Sequence, residues 1–441
     1  MILKKVVRTL EPLIKLGLTL AGLAICNAVL LVLLPWYVVL RLGVGIETDA
    51  FFASGALPQL IFAVVSFSVG HVLVPLLATE DEKTFRRDAW AFFLGVTGLF
   101  SLLALGLFLT ADYWVPKMVL GFSDQAKYLT IHMSRIQLLS MIGNASVVVL
   151  WSIYYARQRF IWVELSSLLA NIAALVYLFW LLPSQGIVAA AWATVLNLGL
   201  KALLLMPVLG RWQRPQWNSY AIKEAWRRVK PFLFGQTYSK TDPLIDRFLT
   251  SMGRAGDLSS LYIGQQAYSA INLVINKAIS TPTVPRLAIV AKSGDWPAFR
   301  RIYRDRLLWM AAISVLGGAL LLVFGEPTLR LMVVGHGGIT ADNVHLLWLM
   351  MVALLGVLVG GTLGQVTSVA FYAMGDTKTP TNLFIWTFTI YIPIKVFAFL
   401  HYRLIGLAIA ISAHLIVNFL LQLIVLERVT SPTRTSALRV G

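Results

Sequence analysis

Charged residues are scarce in this sequence. They make up 13% of its 441 residues, about half the share in a soluble protein, whereas hydrophobic residues make up 58%. Long apolar runs recur from end to end, as in "LGLTLAGLAICNAVLLVLLPWYVVL" and "LIGLAIAISAHLIVNFLLQLIVL". Each run exceeds the roughly 20 residues that span the hydrocarbon core of a bilayer. The composition therefore excludes a soluble domain and predicts an all-α integral membrane protein with many spans.

Cysteine is nearly absent as well. The single cysteine, Cys26, lies inside the first apolar run, which excludes a disulfide framework and a cysteine metal site. No loop is long enough to form a catalytic domain, and no His, Asp and Glu residues cluster at the spacing of a metal or hydrolase site. These absences favour a transporter over an integral-membrane enzyme, and they predict neither a metal nor a bound cofactor.

The net charge of +17 is carried largely by Lys and Arg residues in the loops. In a soluble protein such a charge suggests nucleic acid, but here we expect the bilayer as partner and no nucleic acid. Polar breaks divide the apolar runs into about twelve spans, numbered helix 1 to helix 12 in chain order, of which helices 2, 7, 8 and 11 lie near residues 50–79, 231–252, 258–290 and 380–401. An even number of spans places both termini on one side. Loops on that side, such as "LKKVVR", "EDEKTFRRD" and "RWQRPQWNSYAIKEAWRRVK", hold most of the basic residues. The positive-inside rule therefore predicts cytoplasmic termini.

The chain also repeats itself weakly. Three pairs of segments are in register: "HVLVPLLA" with "TPTVPRLA", "IYYARQ" with "AFYAMG", and "GIVAAAWAT" with "GLAIAISAH". These pairs predict an N-terminal six-helix lobe (1–210), a basic cytoplasmic linker (211–230) and a C-terminal six-helix lobe (231–441). Because six is even, the lobes are parallel repeats, with a pseudo-two-fold axis along the membrane normal and a central cavity between them. This arrangement is typical of a transporter.

Ionisable residues inside the predicted spans are few and mostly basic. A charge at the centre of a span costs roughly 2.5–3.5 kcal/mol, so it normally faces a partner or a hydrated cavity. The inventory is Arg135, Lys201, Lys240, Asp242, Asp246, Arg247, Lys277 and Lys395. Because Arg and Lys bind the oxygens of a diphosphate by charge-assisted hydrogen bonds, we expect a cationic cavity that holds one. Alternatively, the cations pair with internal carboxylates or extend to the membrane surface. For Arg135 and Lys201, both this alternative and a contact with the substrate stay open.

The stretch "SKTDPLIDR" concentrates four of these charges. Asp242 and Asp246 share a helix face and repel each other, so either one is protonated or a cation lies nearby. Pro243 removes a backbone donor and predicts a kink at this point. At about 1.5 Å per residue, Asp246 and Lys395 lie at a similar depth in helices 7 and 11, which makes Lys395 the expected partner. Asp242, Asp246 and Lys395 thus form a structural ion pair, a coupling site for an ion or proton, or a contact with the substrate.

Two further features are candidates for function. In helix 8, Gln265, Ser269, Asn272 and Asn276 form one polar stripe beside Lys277, which suits either sugar hydroxyls or helix–helix hydrogen bonds. At the end of helix 2, we expect Asp49 to cap its own helix together with Thr48, with a gating role as the alternative.

Several motifs resemble those of one family. "GVGIETDAFFASGALPQL" followed by "VLVPLLA", "DRFLTSMGRAGDLSSLYIGQQ" and "FYAMGDTKTPTNL" are similar to segments of the MurJ/MviN lipid flippases. These belong to the multidrug/oligosaccharidyl-lipid/polysaccharide (MOP) exporter superfamily. The resemblance runs along nearly the whole chain. It implies a protein of the bacterial cytoplasmic membrane that moves polyprenyl-diphosphate-linked saccharides, such as lipid II, from the inner to the outer leaflet during cell-envelope synthesis.

The chain departs from the family pattern in two respects. Members that carry lipid II typically have fourteen spans, and they place arginines in helices 1, 2 and 8 of the cavity. At the matching places this chain has no arginine, and Gln266 stands roughly where the helix 8 arginine would be. The resemblance also implies a sodium site between helices 7 and 11, where Lys395 would replace the ion. Lipid II and an exopolysaccharide or O-antigen precursor thus both stay open as the substrate.

The sequence predicts a flippase that works by alternating access, driven by Na⁺, by H⁺ or by membrane potential alone. The predicted substrate-binding residues of the cavity are Lys240, Arg247, Lys277, Gln265, Gln266, Asn272, Asn276, Arg135 and Lys201. Envelope polysaccharide synthesis proteins are the expected protein partners. The alternative function is a cation-coupled multidrug antiporter of the MATE type, which needs a net acidic cavity. A membrane partner of a synthesis complex without transport activity is the third possibility.

Overall fold

The computed structural model describes residues 2–78, 82–275, 281–333 and 341–431, and every secondary-structure element in these ranges is a helix. Helices α1 to α8 are Ile2–Leu42, Ile46–Ser54, Ala56–Ala78, Glu82–Leu109, Ala111–Met118, Asp124–Ala156, Phe160–Gln185 and Ile187–Leu205. Helices α9 to α16 are Tyr220–Lys240, Asp242–Ser251, Asp257–Ile275, Thr281–Ser293, Trp296–Val333, Ala341–Ala353, Leu355–Ala373 and Lys378–Val429. A short 3₁₀ turn, Met206–Leu209, follows α8. The prediction of an all-α protein is confirmed.

The helices account for the predicted spans. Within the described ranges, nine helical segments are long and apolar enough to cross a membrane. One of them, α16, contains two spans, because its helical path is broken at Arg403 (φ 53°, ψ −142°). The pairs α9–α10 and α11–α12 coincide with the predicted seventh and eighth spans. Together these helices make up the twelve spans expected from the sequence.

The first compact unit, Met1–Ser259, is built around α6. Helices α2, α3, α4, α5, α7 and α8 all pack against α6. Small and branched residues such as Ala145, Val149 and Ile153 are buried along it, and they allow neighbouring helices to approach closely. Helix α9 packs on α3 and therefore belongs to this unit. The predicted lobe boundaries at residues 210 and 231 stay a prediction.

The second compact unit, Ser260–Gly441, is organised by α15 and α16. Two glycines of α15 bring the helices together. A Cβ on Gly356 would lie 2.5 Å from the Cβ of Ser412, and one on Gly360 would lie 2.6 Å from the carbonyl carbon of Leu415. Only glycine fits such an approach without displacing the neighbouring helix.

Candidate functional site

The carboxylate of Asp49 is buried at the start of α2. Its two oxygens accept the backbone N–H groups of Gly256 (2.6 Å) and Ser259 (2.7 Å), at the N-terminus of α11. Thr48 provides the cap of α2 itself, since its hydroxyl accepts the N–H of Gly45 at 3.0 Å. The prediction that Asp49 caps its own helix is therefore wrong, because its carboxylate caps a helix that starts over 200 residues later. An anion at a helix N-terminus is stabilised by the free N–H groups and by the helix dipole.

The break predicted at Pro243 is confirmed. Helix α9 ends at Lys240, and α10 begins at Asp242. Pro243 has no N–H to donate within the helix, and the N–H groups of Leu244 and Ile245 both donate to the carbonyl of Thr241. Lys240 is partly buried beside this break, as is Asp242, while Asp246 is buried one turn further along.

Arg247 contacts α3 within the first unit. Its Nη2 donates to Oε1 of Gln59 at 2.8 Å. Gln59 lies one turn after Gly55, which separates α2 from α3, and Gln137 of α6 donates to Ser54 Oγ there at 2.8 Å. The sequence did not single out Gln59 or Gln137, because each is one amide in an otherwise apolar run. The structure joins them to Arg247 in a polar region at the break in helix 2.

Arg135 contacts different residues from those that Arg247 contacts. The Nη2 of Arg135 forms an ion pair with Oδ2 of Asp112 at 2.6 Å, and its guanidinium lies over the ring of Phe108. Arg135 thus has an ion-pair partner, as one of the alternatives from the sequence required, but that partner is exposed and the pair lies at the surface. Lys201 is partly buried on α8.

The predicted polar stripe of helix 8 is only partly described. Gln265 and Gln266 are partly buried on α11, and Ser269 is exposed. Asn272 donates through Nδ2 to the backbone carbonyl of Val357 on α15 at 3.3 Å, which is the helix–helix hydrogen bond that the sequence left open. Asn276 and Lys277 lie outside the described residues.

Lys395 is fully buried in the second unit. A polar network joins the two parts of α16, where Thr387 Oγ1 is 3.3 Å from Nε2 of the buried His414 and 3.5 Å from Oδ1 of Asn418. The rings of Phe384 and Tyr391 flank that imidazole. The proposed pairing of Lys395 with the helix 7 carboxylates joins residues of different units and stays a prediction.

A second polar chain, within the first unit, was missed at the sequence level. Nδ2 of Asn27 on α1 donates to the backbone oxygen (3.0 Å) and to Oε2 (3.2 Å) of Glu164 on α7. Asn171 donates to Oδ1 of Asn27 at 3.1 Å, and Asn197 on α8 donates to Oδ1 of Asn171 at 2.7 Å. Because Asn27 faces only acceptors at Glu164, the orientation of every amide in this carboxamide chain is determined. The chain ties three helices together inside the membrane.

The described residues include no group of three or more His, Cys, Asp and Glu that could hold a metal ion. The polar atoms gathered in the first unit are amides, carboxylates and guanidinium groups. Guanidinium and amide N–H groups can donate hydrogen bonds to an anion, whereas carboxylate and amide oxygens can accept hydrogen bonds from hydroxyl groups.

Solved structures with the same fold define the class of protein. The chain superposes on "Lipid II flippase MurJ, inward closed conformation" with a TM-score of 0.78 and 18% identity, covering 94% of this chain and 88% of the other. An inward-facing MATE multidrug transporter of the MOP superfamily gives a TM-score of 0.76 and 16% identity, covering 96% of both chains. The fold is that of the MOP superfamily of multi-pass membrane transporters.

Sequence comparison then places the chain within that class. The family model "Lipid II flippase MurJ" matches residues 38–440, and the chain belongs to this family. It is 21% identical over 403 residues to the "Probable lipid II flippase MurJ" of Buchnera aphidicola subsp. Acyrthosiphon pisum, covering 86% of this chain and 77% of that protein. It is 23% identical over 445 aligned positions to the protein of the same name from Vibrio cholerae serotype O1, covering 93% and 82%. Family and spans together identify a multi-pass inner-membrane protein.

Proposed function

We propose that this protein is a flippase that moves a polyprenyl-diphosphate-linked saccharide across the cytoplasmic membrane by alternating access, and that it is a transporter and not an enzyme. The match of the MurJ family model to residues 38–440 carries the proposal. The basic residues of the membrane-spanning helices support it, since the substrate carries a multiply charged diphosphate. Lipid II and an exopolysaccharide or O-antigen precursor are both candidate substrates. Proteins of envelope polysaccharide synthesis are the proposed partners.

Arg247 and Lys240 are the proposed diphosphate ligands. Both lie at the break in helix 7, and Gln59 holds the Arg247 guanidinium against α3. Guanidinium and ammonium groups at a helix break are well placed to follow a moving anion, because the break divides one span into two short helices. Lys277, Lys201, Arg135 and the amides Gln265, Gln266, Asn272 and Asn276 remain proposed contacts for the head group.

The Asp49 cap of α11 is the proposed gate. With both termini cytoplasmic, as the loop charges indicate, the α1–α2 turn lies on the outer side of the membrane. The carboxylate of Asp49 binds the first turn of α11 by two N–H···O hydrogen bonds. We propose that these bonds close the outer side and break when the saccharide leaves.

The energy source is proposed to be the membrane potential, with Na⁺ or H⁺ as alternatives. With the interior negative, outward movement of an anion gains roughly 2.3 kcal/mol per charge per 100 mV. Lys395, which is buried and basic, would provide a permanent internal cation where an ion-coupled relative would bind sodium.

Flipping in proteoliposomes tests the proposal. Fluorescent lipid II and a short fluorescent exopolysaccharide precursor are compared for wild type, Arg247→Gln, Lys240→Gln and the control Lys223→Gln, which removes an exposed charge from the same helix α9. We expect at least one lipid to cross, about tenfold more slowly in the first two variants, as the loss of about 1.4 kcal/mol from a charged hydrogen bond would cause. If neither lipid crosses and a cationic dye is expelled against a proton or sodium gradient, the protein is an antiporter.

A further inference from the structure

A groove opens on the surface of the second unit between α12 and α13. It has a volume of about 380 Å³ and is lined by Arg286 of α12 and by Ile302, Asp305, Arg306, Leu308 and Trp309 of α13. None of these residues belongs to the proposed translocation site. Two arginines, one aspartate, a tryptophan and two aliphatic side chains thus line one concave surface.

The groove borders the packed core of the second unit on one side and is exposed on the other. On α13, Ile302, Arg306 and Trp309 fall at i, i+4 and i+7, on one face of the helix. The fully buried Phe299 and Tyr303 lie next to this face, because Arg306 follows them at i+7 and i+3, and Ile302 packs against the same core cluster. The side chains of Leu308 and Trp309 are 69% and 63% exposed. In a membrane-spanning helix, side chains with such exposure face lipid.

The groove lies where α13 changes from polar to apolar. Its first part, "WPAFRRIYRDR", is rich in arginine, and from Leu307 onward the helix reads "LLWMAAISVLGGALLLVF". Arginine and tryptophan at such a boundary lie at the level of the lipid head groups. The groove therefore presents cations at head-group depth and apolar walls toward the acyl chains.

The two arginines of the groove differ from their neighbour Arg304. Arg304 makes two hydrogen bonds to the carboxylate of Glu427, at 2.9 and 2.6 Å. Among the residues that the structure describes, no carboxylate lies within ion-pair distance of Arg286 or Arg306. Between residues 286 and 306 there are six basic residues and only two acidic ones. Asp305 is the single carboxylate that lines the groove, so its two arginines leave the groove with a net positive charge.

We propose that this groove is a binding site for the head group of an anionic phospholipid of the bilayer. Two guanidinium groups match the phosphate oxygens, which Arg binds by paired hydrogen bonds. The indole of Trp309 and the side chains of Leu308 and Ile302 contact the glycerol and the upper acyl chains. Basic pockets between membrane helices bind anionic head groups in this way. A zwitterionic lipid offers the same phosphate, but its choline is repelled by the arginines, so we expect it to bind more weakly than an anionic lipid.

Native mass spectrometry of the purified protein tests the site. The probe is phosphatidylglycerol, with phosphatidylcholine as the zwitterionic comparison. We expect Arg286→Gln and Arg306→Gln each to weaken phosphatidylglycerol binding about fivefold, and the double variant about thirtyfold. The matched control is Arg428→Gln, an exposed arginine next to Glu427 and therefore at the same level of the same unit. Thermal unfolding of each variant in detergent establishes that it is folded.

Two results would overturn the proposal. One is phosphatidylglycerol binding that is equal in the double variant and in Arg428→Gln. The other is a site that binds undecaprenyl phosphate with dependence on both arginines and does not bind phosphatidylglycerol, which would make it a carrier-lipid site. The site stands independently of the flippase proposal, since lipid binding is measured on the purified protein without any transport.

Discussion

Asp376, in the segment "GDTKTP", stabilises the start of α16. Its Oδ1 accepts the N–H groups of Lys378 (3.1 Å) and Thr379 (2.9 Å), and its Oδ2 accepts the Thr379 hydroxyl at 2.6 Å, so the carboxylate anchors the start of α16. Gly375 has φ +83°, a left-handed conformation that glycine adopts without strain. Burial alone would raise the pKa of the Asp376 carboxyl, but these hydrogen bonds outweigh it and hold the pKa below its ordinary value.

This lowered pKa gives a pH dependence. A carboxyl whose folded pKa lies below its unfolded value, about 3.9 for Asp, contributes stability above that value and loses it as pH falls through the folded pKa. We expect Asp376→Asn to lower the melting temperature at pH 7 and to reduce the difference from wild type as the pH falls below about 4. Thermal unfolding in detergent at several pH values measures this. A difference that is constant from pH 7 to pH 3 would contradict it.

Gly55 permits the closest side-chain approach at the break in helix 2. A Cβ on this residue would lie 2.5 Å from Oε1 of Gln137, and Nε2 of the same amide is hydrogen-bonded to Ser54. Gly55→Ala should therefore destabilise the protein by about 1–3 kcal/mol, as overpacking does, and should displace Gln137. Gly106→Ala in α4 is the control, because nothing lies within 4 Å of its Cβ position. Equal melting temperatures for the two variants would contradict overpacking at Gly55.

At the scale of elements, α11 depends on a carboxylate from α2. Asp49→Ala removes both acceptors at the first turn of α11, and charged hydrogen bonds of this kind are worth about 1.5–3 kcal/mol each. We expect amide hydrogen exchange at residues 256–259 to speed up by more than tenfold. Glu47→Gln, an exposed change in the same turn of α2, should leave exchange unchanged. Slow exchange in Asp49→Ala would show that the cap does not hold this helix end.

The carboxamide chain makes a second prediction about elements. Asn171→Leu deprives Oδ1 of Asn27 of its donor and Nδ2 of Asn197 of its acceptor, and we expect a loss of about 1–3 kcal/mol. Glu164→Gln should cost less, because it keeps an oxygen for Asn27. The control is Ser167→Ala on the same helix, whose hydroxyl bonds only to the backbone of its own helix. Unfolding in mixed detergent measures all three, and an Asn171→Leu loss no larger than that of Ser167→Ala would refute the link.

The helices could be predicted from neighbouring residues in the sequence, but the contacts between helices could not. The spans and the break at Pro243 follow from hydropathy and from a missing N–H, which are properties of adjacent residues. The contacts of Asp49, Gln59 and Asn27 could not be foreseen, because they join positions between 137 and 210 residues apart. Each of these residues looks ordinary in its own span, so the sequence offers no local signal for the pairing.

The whole molecule was predicted better than its binding residues. Length, apolar runs, loop charge and motifs together led to the twelve-helix fold and to the family, because these signals accumulate over the entire chain. The surroundings of each proposed binding residue depend instead on a few individual contacts. Within the first unit, Arg135 pairs with Asp112 and Arg247 with Gln59, so cations that seemed equivalent in sequence have different surroundings.

The charge of the substrate allows a test of the energy source for the whole protein. If the diphosphate moves outward without a co-transported ion, an interior-negative potential of 100 mV contributes about 2.3 kcal/mol per charge, or about a fiftyfold shift in the distribution between leaflets for each charge. Proteoliposomes with a potassium gradient and valinomycin impose this potential, and the final leaflet ratio of a fluorescent polyprenyl-diphosphate saccharide is measured. We expect the ratio to follow the potential and to ignore sodium and pH gradients imposed at zero potential. A ratio that responds only to sodium or only to pH would identify an ion-coupled cycle and remove membrane potential as the sole energy source.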